Sequence, residues 1–399
     1  MELEEARDAL VRELKQIREC ETVMLPDAVG RILADDLRAP FSVPSFPKAA
    51  MDGYAVRSSD VSDATIDDPV MLKVIGESLA GTRMERYTEA DTFPSAVRIM
   101  TGARVPDGYD TVIRQEDTDY GEDTVSIRKG EKPYTNYCKV GEDISKGQTV
   151  LKAGRRIGRT ESGVLASLGI DRVTVIRPLR VSVIATGSEL KDVGSKLGDC
   201  EIYNSIAYMI EAALCDPQFE VTREICPDDE QELKTRILKA VEESDIVITT
   251  GGVSVGKKDL IPDVLDDIEA KKIFARVNVQ PGTPTIGSIL DGVAILSLSG
   301  NPYAAIANYD YYFGAITAAL TGCDAYKQTK ETAVLISEYP KVNKHRRLLR
   351  AFVCNGEVSL PVKSHASSVL SNMLDCNCYI DLPAGTSVSP GDKVNILRI

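Results

Sequence analysis

The chain has 399 residues, 43% hydrophobic and 27% charged, the composition of a soluble protein of two to four domains with real cores. Its formal charge of −13 repels nucleic acid and anionic membranes, which excludes both as expected partners and requires local donors for any anionic ligand. MELEEARDALVRELKQI lacks a signal-peptide core, and no run nears the roughly 18 apolar residues that span a bilayer, so a cytoplasmic location is expected.

Leu3, Leu10, Leu14 and Ile17 share one helical face, predicting a first helix over 3–17. Pro40, Pro44 and Pro47 then stiffen an extended segment ahead of AAMDGYAV. Between 70 and 130 come the short runs VMLKVIGE, AVRIMTGA, DTVIRQED and DTVSIRKG, split by Gly, Asp and Pro, which predict a small β-domain. TESGVLASLGI reads as a helix capped by Thr160.

From 180 the pattern changes. VSVIAT (181–186), DIVITT (245–250) and AILSLS (294–299), with a weaker strand FEVTREI, alternate with helical stretches over 204–215, 229–243 and 301–320. Continuous apolarity implies strands buried on both faces, hence a parallel sheet. The segment 327–399 returns to short β runs. The expected fold class is α/β plus β: a multidomain chain with a central doubly wound α/β domain and mostly parallel sheet, a β-rich inserted domain and a small C-terminal β-domain. The expected boundaries are 1–48 with 141–176 as a linking domain, 49–140 inserted, 177–326 α/β, and 327–399 C-terminal.

Nine scattered cysteines, an odd count with no C-x-x-C, argue against a disulfide framework. Cys376 and Cys378, in DCNCYIDLP, alternate like a strand edge. With only His345 and His365, an imidazole-rich zinc site is excluded and no Ser-His-Asp triad can be assembled.

GGVSVGKK (251–258) is one letter from the phosphate loop G-x-x-x-x-G-K-[ST]. Lys258 occupies the place of the Mg²⁺-binding hydroxyl, so the spelling is coincidental, although backbone donors there can still serve a phosphate. The wider pattern is more informative. Each α/β strand runs into a loop with polar chemistry: GSEL brings Glu189, CPDDE brings Asp228 and Asp229, GGVSVGKKD brings Ser254, Lys257, Lys258 and Asp259, and SGNP brings Ser299 and Asn301. Singly, TGSEL is an ordinary turn and Asp228-Asp229 an ordinary helix start. Together, at the carboxyl edge of one parallel sheet, they form a crevice able to hold a metal and a phosphate.

PSFPKAAMDGYAV (44–56), TGARVPDGYDTVIRQED (101–117), GEDISKGQTVLKAG (141–154), ATGSEL (185–190), IYNS (202–205), TGGVSVGKKD (250–259) and LSGNPYAA (298–305), in that order, resemble the molybdopterin molybdenumtransferase (gephyrin-like) family. The resemblance covers nearly the whole chain. It implies a homodimer, with each site between the α/β domain of one subunit and the β-rich domain of the other. The implied reaction inserts molybdate or tungstate into adenylylated molybdopterin and releases AMP with the help of Mg²⁺. A molybdopterin adenylyltransferase is the implied donor, and molybdoenzymes or tungstoenzymes are the acceptors.

By motif position the resemblance makes Asp52, Thr101, Glu189, Asp228 and Asp259 catalytic, with Glu189, Asp228 and Asp259 as metal ligands. Gly251, Gly252, Ser254, Gly256, Lys258, Asn301, Pro302, Arg350 and Ser367 would bind the pterin substrate or the oxyanion. Taken alone, Asp52 reads equally as a turn residue before Gly53, and Arg350 as a solvated strand arginine. Where the family has approximately K-P-G-K-P, this chain has Gln280-Pro281-Gly282-Thr283-Pro284, with Arg276 nearby and Ser367-Ser368 on a serine-bearing loop. Loss of two cations should weaken oxyanion binding, leaving Gln280 and Thr283 as donors. The alternative is therefore a non-catalytic molybdopterin-binding carrier or dimeric scaffold. A nucleotide-processing enzyme sharing only the α/β domain is a third reading, which MDGYAV and TGARVP oppose.

Overall fold

The computed structural model describes residues 1–82, 94–253, 260–361, 366 and 368–399. Two compact units make up the chain: Met1–Asp35 with Ala153–Ser162 and Asp171–Ile399, and Asp36–Lys152 with Gly163–Ile170.

The first helix, α1 (Leu3–Glu13), buries Leu3, Ala6 and Leu10. It ends earlier than its apolar periodicity suggests. Leu14 is extended, and the Ile17 N–H is committed to the Leu320 carbonyl at 2.8 Å, so tertiary pairing takes over from helix propensity.

The smaller unit is built on β1 (Gly53–Val56), β2 (Val70–Ser78), β3 (Ser95–Ile99), β4 (Thr111–Arg114) and β5 (Thr124–Ile127), ordered β4-β1-β3-β2-β5. Alternate residues of β1 serve two cores: Ala55 packs with Val97, Ile99 and Val112, while Tyr54 and Val56 pack with Leu72, Ala96 and Ile113. The predicted helix near 160 is α2 (Arg159–Ser167). It starts before Thr160, which is therefore inside the first turn and is not its cap.

In the larger unit a six-stranded sheet has the order β7-β6-β8-β11-β10-β9, with β6 (Leu179–Thr186), β7 (Phe219–Cys226), β8 (Ile246–Thr250), β9 (Lys271–Phe274), β10 (Ile286–Leu290) and β11 (Val293–Leu298). The first four in that order are parallel; β10 and β9 add an antiparallel edge. The helices are α3 (Ser205–Ala213), α4 (Glu230–Glu243), α5 (Ile261–Asp267) and α6 (Pro302–Thr321). Val181 and Val183 face α1, α3 and α6, whereas Ile184 faces α4 and α5, so the sheet is covered on both sides.

The remaining strands are β12 (Lys330–Leu335), β13 (Arg346–Cys354), β14 (Glu357–Ser359), β15 (Cys378–Leu382) and β16 (Lys393–Arg398). Their order β13-β14-β12-β16-β15 closes when β15 returns to β13, making a small barrel around Leu335, Leu349, Val358, Ile380 and Ile396. Cys378 is consequently not at a strand edge: β15 is paired on both sides and all five of its residues are buried. All nine cysteines are free thiols. Arg346 binds Glu4 of α1 at 2.5 Å and Asp381 of β15 at 2.5 Å, pinning the first helix to the barrel. Among the described residues no helix is long and apolar enough to cross a membrane.

Asp310, inside α6, is half-buried and takes one hydrogen bond, from the Tyr379 hydroxyl at 2.7 Å. Burial pushes its carboxyl up from 3.8 to about 6, with the Tyr379 hydrogen bond opposing. A folded-state value above the unfolded one means stability is full below about 3.8 and falls as pH rises through about 6. Asp310→Asn should therefore raise stability by about 1–2 kcal/mol at neutral pH and by little at pH ~4. Thermal melts of both proteins across this range check it.

Candidate active site

Strand β6 comes first in its sheet; the chain then moves to β7 on one side and to β8 on the other. The loops leaving β6 and β8 diverge, and the space between them is where open parallel sheets bind ligands. A cleft of about 330 Å³ lies there. Thr186, Gly187 and Glu189 line it from the β6 turn, Asp228 from β7, Thr250–Val253 from β8, and Ser299, Gly300 and Pro302 from β11.

The loops are tied to one another. The Ser188 N–H donates to Asp228 Oδ2 at 3.2 Å, and the Asp228 N–H donates to Ser188 Oγ at 3.1 Å. This reciprocal clasp holds the Asp228 carboxylate on the same wall as Glu189. The adjacent Asp229 does different work: its Oδ1 accepts the Glu232 N–H at 2.8 Å and caps α4. The ordinary helix-start reading thus applies to Asp229, while Asp228 faces the cleft.

Gly251 explains the double glycine after β8. Its φ is +92°, and a Cβ there would lie 2.5 Å from the Thr186 carbonyl oxygen. The Gly251 N–H is spent on the Leu298 carbonyl at 3.0 Å, so the residue supplies room more than a donor. Across the cleft, the 20-residue helix α6 begins at Pro302, with Asn301 as its N-cap residue. The Asn301 N–H donates to Ser299 Oγ at 3.2 Å, which orders this helix start, the positive end of its dipole, at the rim.

Of the expected site residues, Glu189, Asp228, Gly251, Gly252 and Pro302 line the cleft, with Asn301 between the lining residues Gly300 and Pro302. Ser254, Gly256, Lys258, Asp259 and Ser367 lie outside the described residues. Asp52 and Thr101 belong to the smaller unit, where the Thr101 hydroxyl and N–H each donate to Asp52 Oδ1 at 2.6 Å. Those two bonds, the hydroxyl's first, hold the Asp52 carboxyl below its ordinary value and keep it ionised.

Arg350 does not line the cleft, nor is it a solvated strand arginine. It is fully buried: Nη2 donates to the Ala366 carbonyl at 2.8 Å, Nη1 to the Val369 carbonyl, and the guanidinium lies 4.2 Å from the Tyr303 ring centroid. It therefore ties the Ala366 and Val369 carbonyls to β13. Thr283 also differs from expectation, since its hydroxyl is spent on the Val279 carbonyl at 2.7 Å.

Sequence reasoning assigned no role to Tyr203 and Asn204, which line the cleft at the start of α3. Asn204 Oδ1 accepts the Ala207 N–H at 3.2 Å and caps that helix. The polar step IYNS before an apolar helix was the available signal.

No described Lys or Arg lines the cleft, and its carboxylates are Glu189 and Asp228. Both are exposed, hard oxygen donors. Among the described residues no three His, Cys, Asp or Glu side chains converge. Two carboxylates suit Mg²⁺, which keeps several waters and completes its shell with substrate phosphates, better than they suit a metal needing a full protein cage.

Three family profiles match in succession: MoeA N-terminal region (domain I and II) over 1–169, "probable molybdopterin binding domain" over 182–317, and MoeA C-terminal region (domain IV) over 332–399. A molybdopterin molybdenumtransferase of Staphylococcus epidermidis is 35% identical over 98% of this chain and 94% of its own length. One from Haemophilus influenzae is 34% identical over 99% and 97%. The crystal structure of the molybdopterin biosynthesis moeA protein from Pyrococcus horikoshii OT3 is 28% identical, covers 100% of both chains and superposes with a TM-score of 0.87.

Proposed function

The chain belongs to the molybdopterin molybdenumtransferase family and is a transferase of molybdenum cofactor biosynthesis; from that premise we propose that it inserts molybdate or tungstate into adenylylated molybdopterin, releasing AMP. One observation carries the reading: the sheet-edge cleft sets two carboxylates, Glu189 and the Ser188-clasped Asp228, opposite a glycine turn and a helix start. A pyrophosphate facing Glu189 and Asp228 without a cation would be repelled. Mg²⁺, when bound, neutralises charge on the phosphoryl oxygens and eases cleavage of the bond to AMP.

Each part of the chain then has a task. Glu189 and Asp228 would hold the cation, with the Ser188 clasp fixing the aim of Asp228. Gly251 and Gly252 leave space for phosphate against the backbone, and the start of α6 favours its negative charge. In a homodimer, Asp52 of a second copy, kept ionised by Thr101, would close the site. A molybdopterin adenylyltransferase fits as donor of the substrate, and molybdoenzymes or tungstoenzymes as acceptors of the product.

The test is direct. Purified protein given adenylylated molybdopterin, Mg²⁺ and molybdate should release AMP, and parallel reactions with tungstate should show which oxyanion is preferred. Tight pterin binding with no AMP under either condition would overturn the transferase chemistry in favour of a carrier.

A further inference from the structure

The start of α3 lies on the cleft wall with donors that the chain does not use. Asn204, Ser205 and Ile206 all line the cleft. Asn204 is 2% exposed, and the two ends of its amide differ. Oδ1 is committed to the Ala207 N–H, which fixes the orientation of the group, while Nδ2 is buried with no acceptor among the described residues. The Ser205 and Ile206 N–H groups open the helix, so no carbonyl one turn back serves them. Neither they nor the Ser205 hydroxyl meets an acceptor among the described residues.

A buried amide donor without a partner is costly, and one on a cleft wall calls for an acceptor that arrives with a ligand. The setting is held in place. The Asn204 N–H donates to the Lys191 carbonyl at 2.9 Å and the Ile202 N–H to the Glu189 carbonyl at 2.9 Å, so the start of α3 is tied to the loop that carries Glu189. Three consecutive residues thus offer N–H and O–H donors, and the positive dipole end of a nine-residue helix adds to them. The cleft therefore has two helix starts, those of α3 and α6, besides the carboxylates of Glu189 and Asp228.

We propose that the start of α3 is a second phosphate seat, in which Asn204 Nδ2, the Ser205 N–H and hydroxyl and the Ile206 N–H hold a phosphoryl group without the cation. This deepens the proposed function and rests on it. Of the two phosphoryl groups in the adenylylated pterin, one meets the cation at Glu189 and Asp228 and the other meets α3. Hydrogen bonds from neutral donors to a charged oxygen are strong enough to fix which end of the pyrophosphate faces which wall.

Calorimetric titration of the full chain with AMP, and separately with molybdopterin, which carries a phosphate of its own, is the experiment, each run with and without Mg²⁺. Asn204→Asp keeps an oxygen to cap the Ala207 N–H but sets an anionic oxygen where Nδ2 stands. It should weaken one of the two ligands about 10- to 100-fold at an unchanged or raised melting temperature. Ser205→Pro removes an N–H and a hydroxyl at the first helical position, where proline is tolerated, and should weaken the same ligand about 10-fold. Asn204, at ψ 85°, is outside the helical region that a following proline disfavours. Each loss should be the same with and without Mg²⁺. A loss for AMP assigns the seat to the adenylyl phosphate, and a loss for molybdopterin assigns it to the phosphate of the pterin. Unchanged affinity for both ligands in either folded variant overturns the inference, and so does a loss seen only with Mg²⁺. AMP release separates this from the wider reading. If the unaltered protein releases AMP from adenylylated molybdopterin while the variants bind as before, only the seat falls. If the variants lose affinity but the unaltered protein releases no AMP, the seat stands and the transferase chemistry falls.

Discussion

Asp228→Asn will lower Mg²⁺-dependent AMP release by roughly two to three orders of magnitude, the scale expected when a charge-stabilising group is removed from a phosphoryl-transfer site. The substitution is nearly isosteric, and Asn can still accept the Ser188 N–H, so the clasp between the two loops survives. What disappears is a negative charge on the wall shared with Glu189. Glu189→Gln should behave alike, and the double variant should lose little more than either single one, because both act through one cation. The loss should be partly reversed by raised Mg²⁺ concentration, with the melting temperature unchanged. AMP release within about threefold of the unaltered protein would remove the carboxylates from the chemistry.

Gly251→Ala should cost about 2–4 kcal/mol of stability and abolish most pterin binding, through two effects acting together. The φ of +92° is unfavourable for any side chain, and the new Cβ would meet the Thr186 carbonyl at 2.5 Å and Thr186 Oγ1 at 2.7 Å. The second contact forces apart the ends of β6 and β8, which carry the cleft. Gly292→Ala is the control: its φ is +85°, yet nothing lies within 4 Å of the added carbon. It should cost only about 1 kcal/mol, the penalty of the backbone angle alone. Equal denaturation midpoints for the two variants would show that the Thr186 contact does not matter.

The α/β strands were legible because residues buried on both faces leave no polar letters between them. The run 181–186 lies inside β6 and 245–250 contains β8, while 294–299 differs from β11 by one residue at each end. The acidic stretch opening at 229 likewise announced α4. The β9–β10 edge escaped notice, since KKIF and IGSIL are short and defined by pairing with each other and with β11. Long-range partners decided the other differences too. Ile17 left its helix for a bond to Leu320; Cys378 became interior when the barrel closed; Arg350 reads as a surface residue until the Tyr303 ring and the Ala366 and Val369 carbonyls are placed around it. The same holds within the site, where nothing in the letters DD distinguishes a cap from a cleft-facing carboxylate.

Glu4 finds its partner Arg346 a full 342 positions downstream. During synthesis the opening helix leaves the ribosome long before the strands that receive it exist, and it must stay soluble on its own with an unpaired apolar stripe. Its acidic side chains, Glu4, Glu5, Asp8 and Glu13, suit that wait.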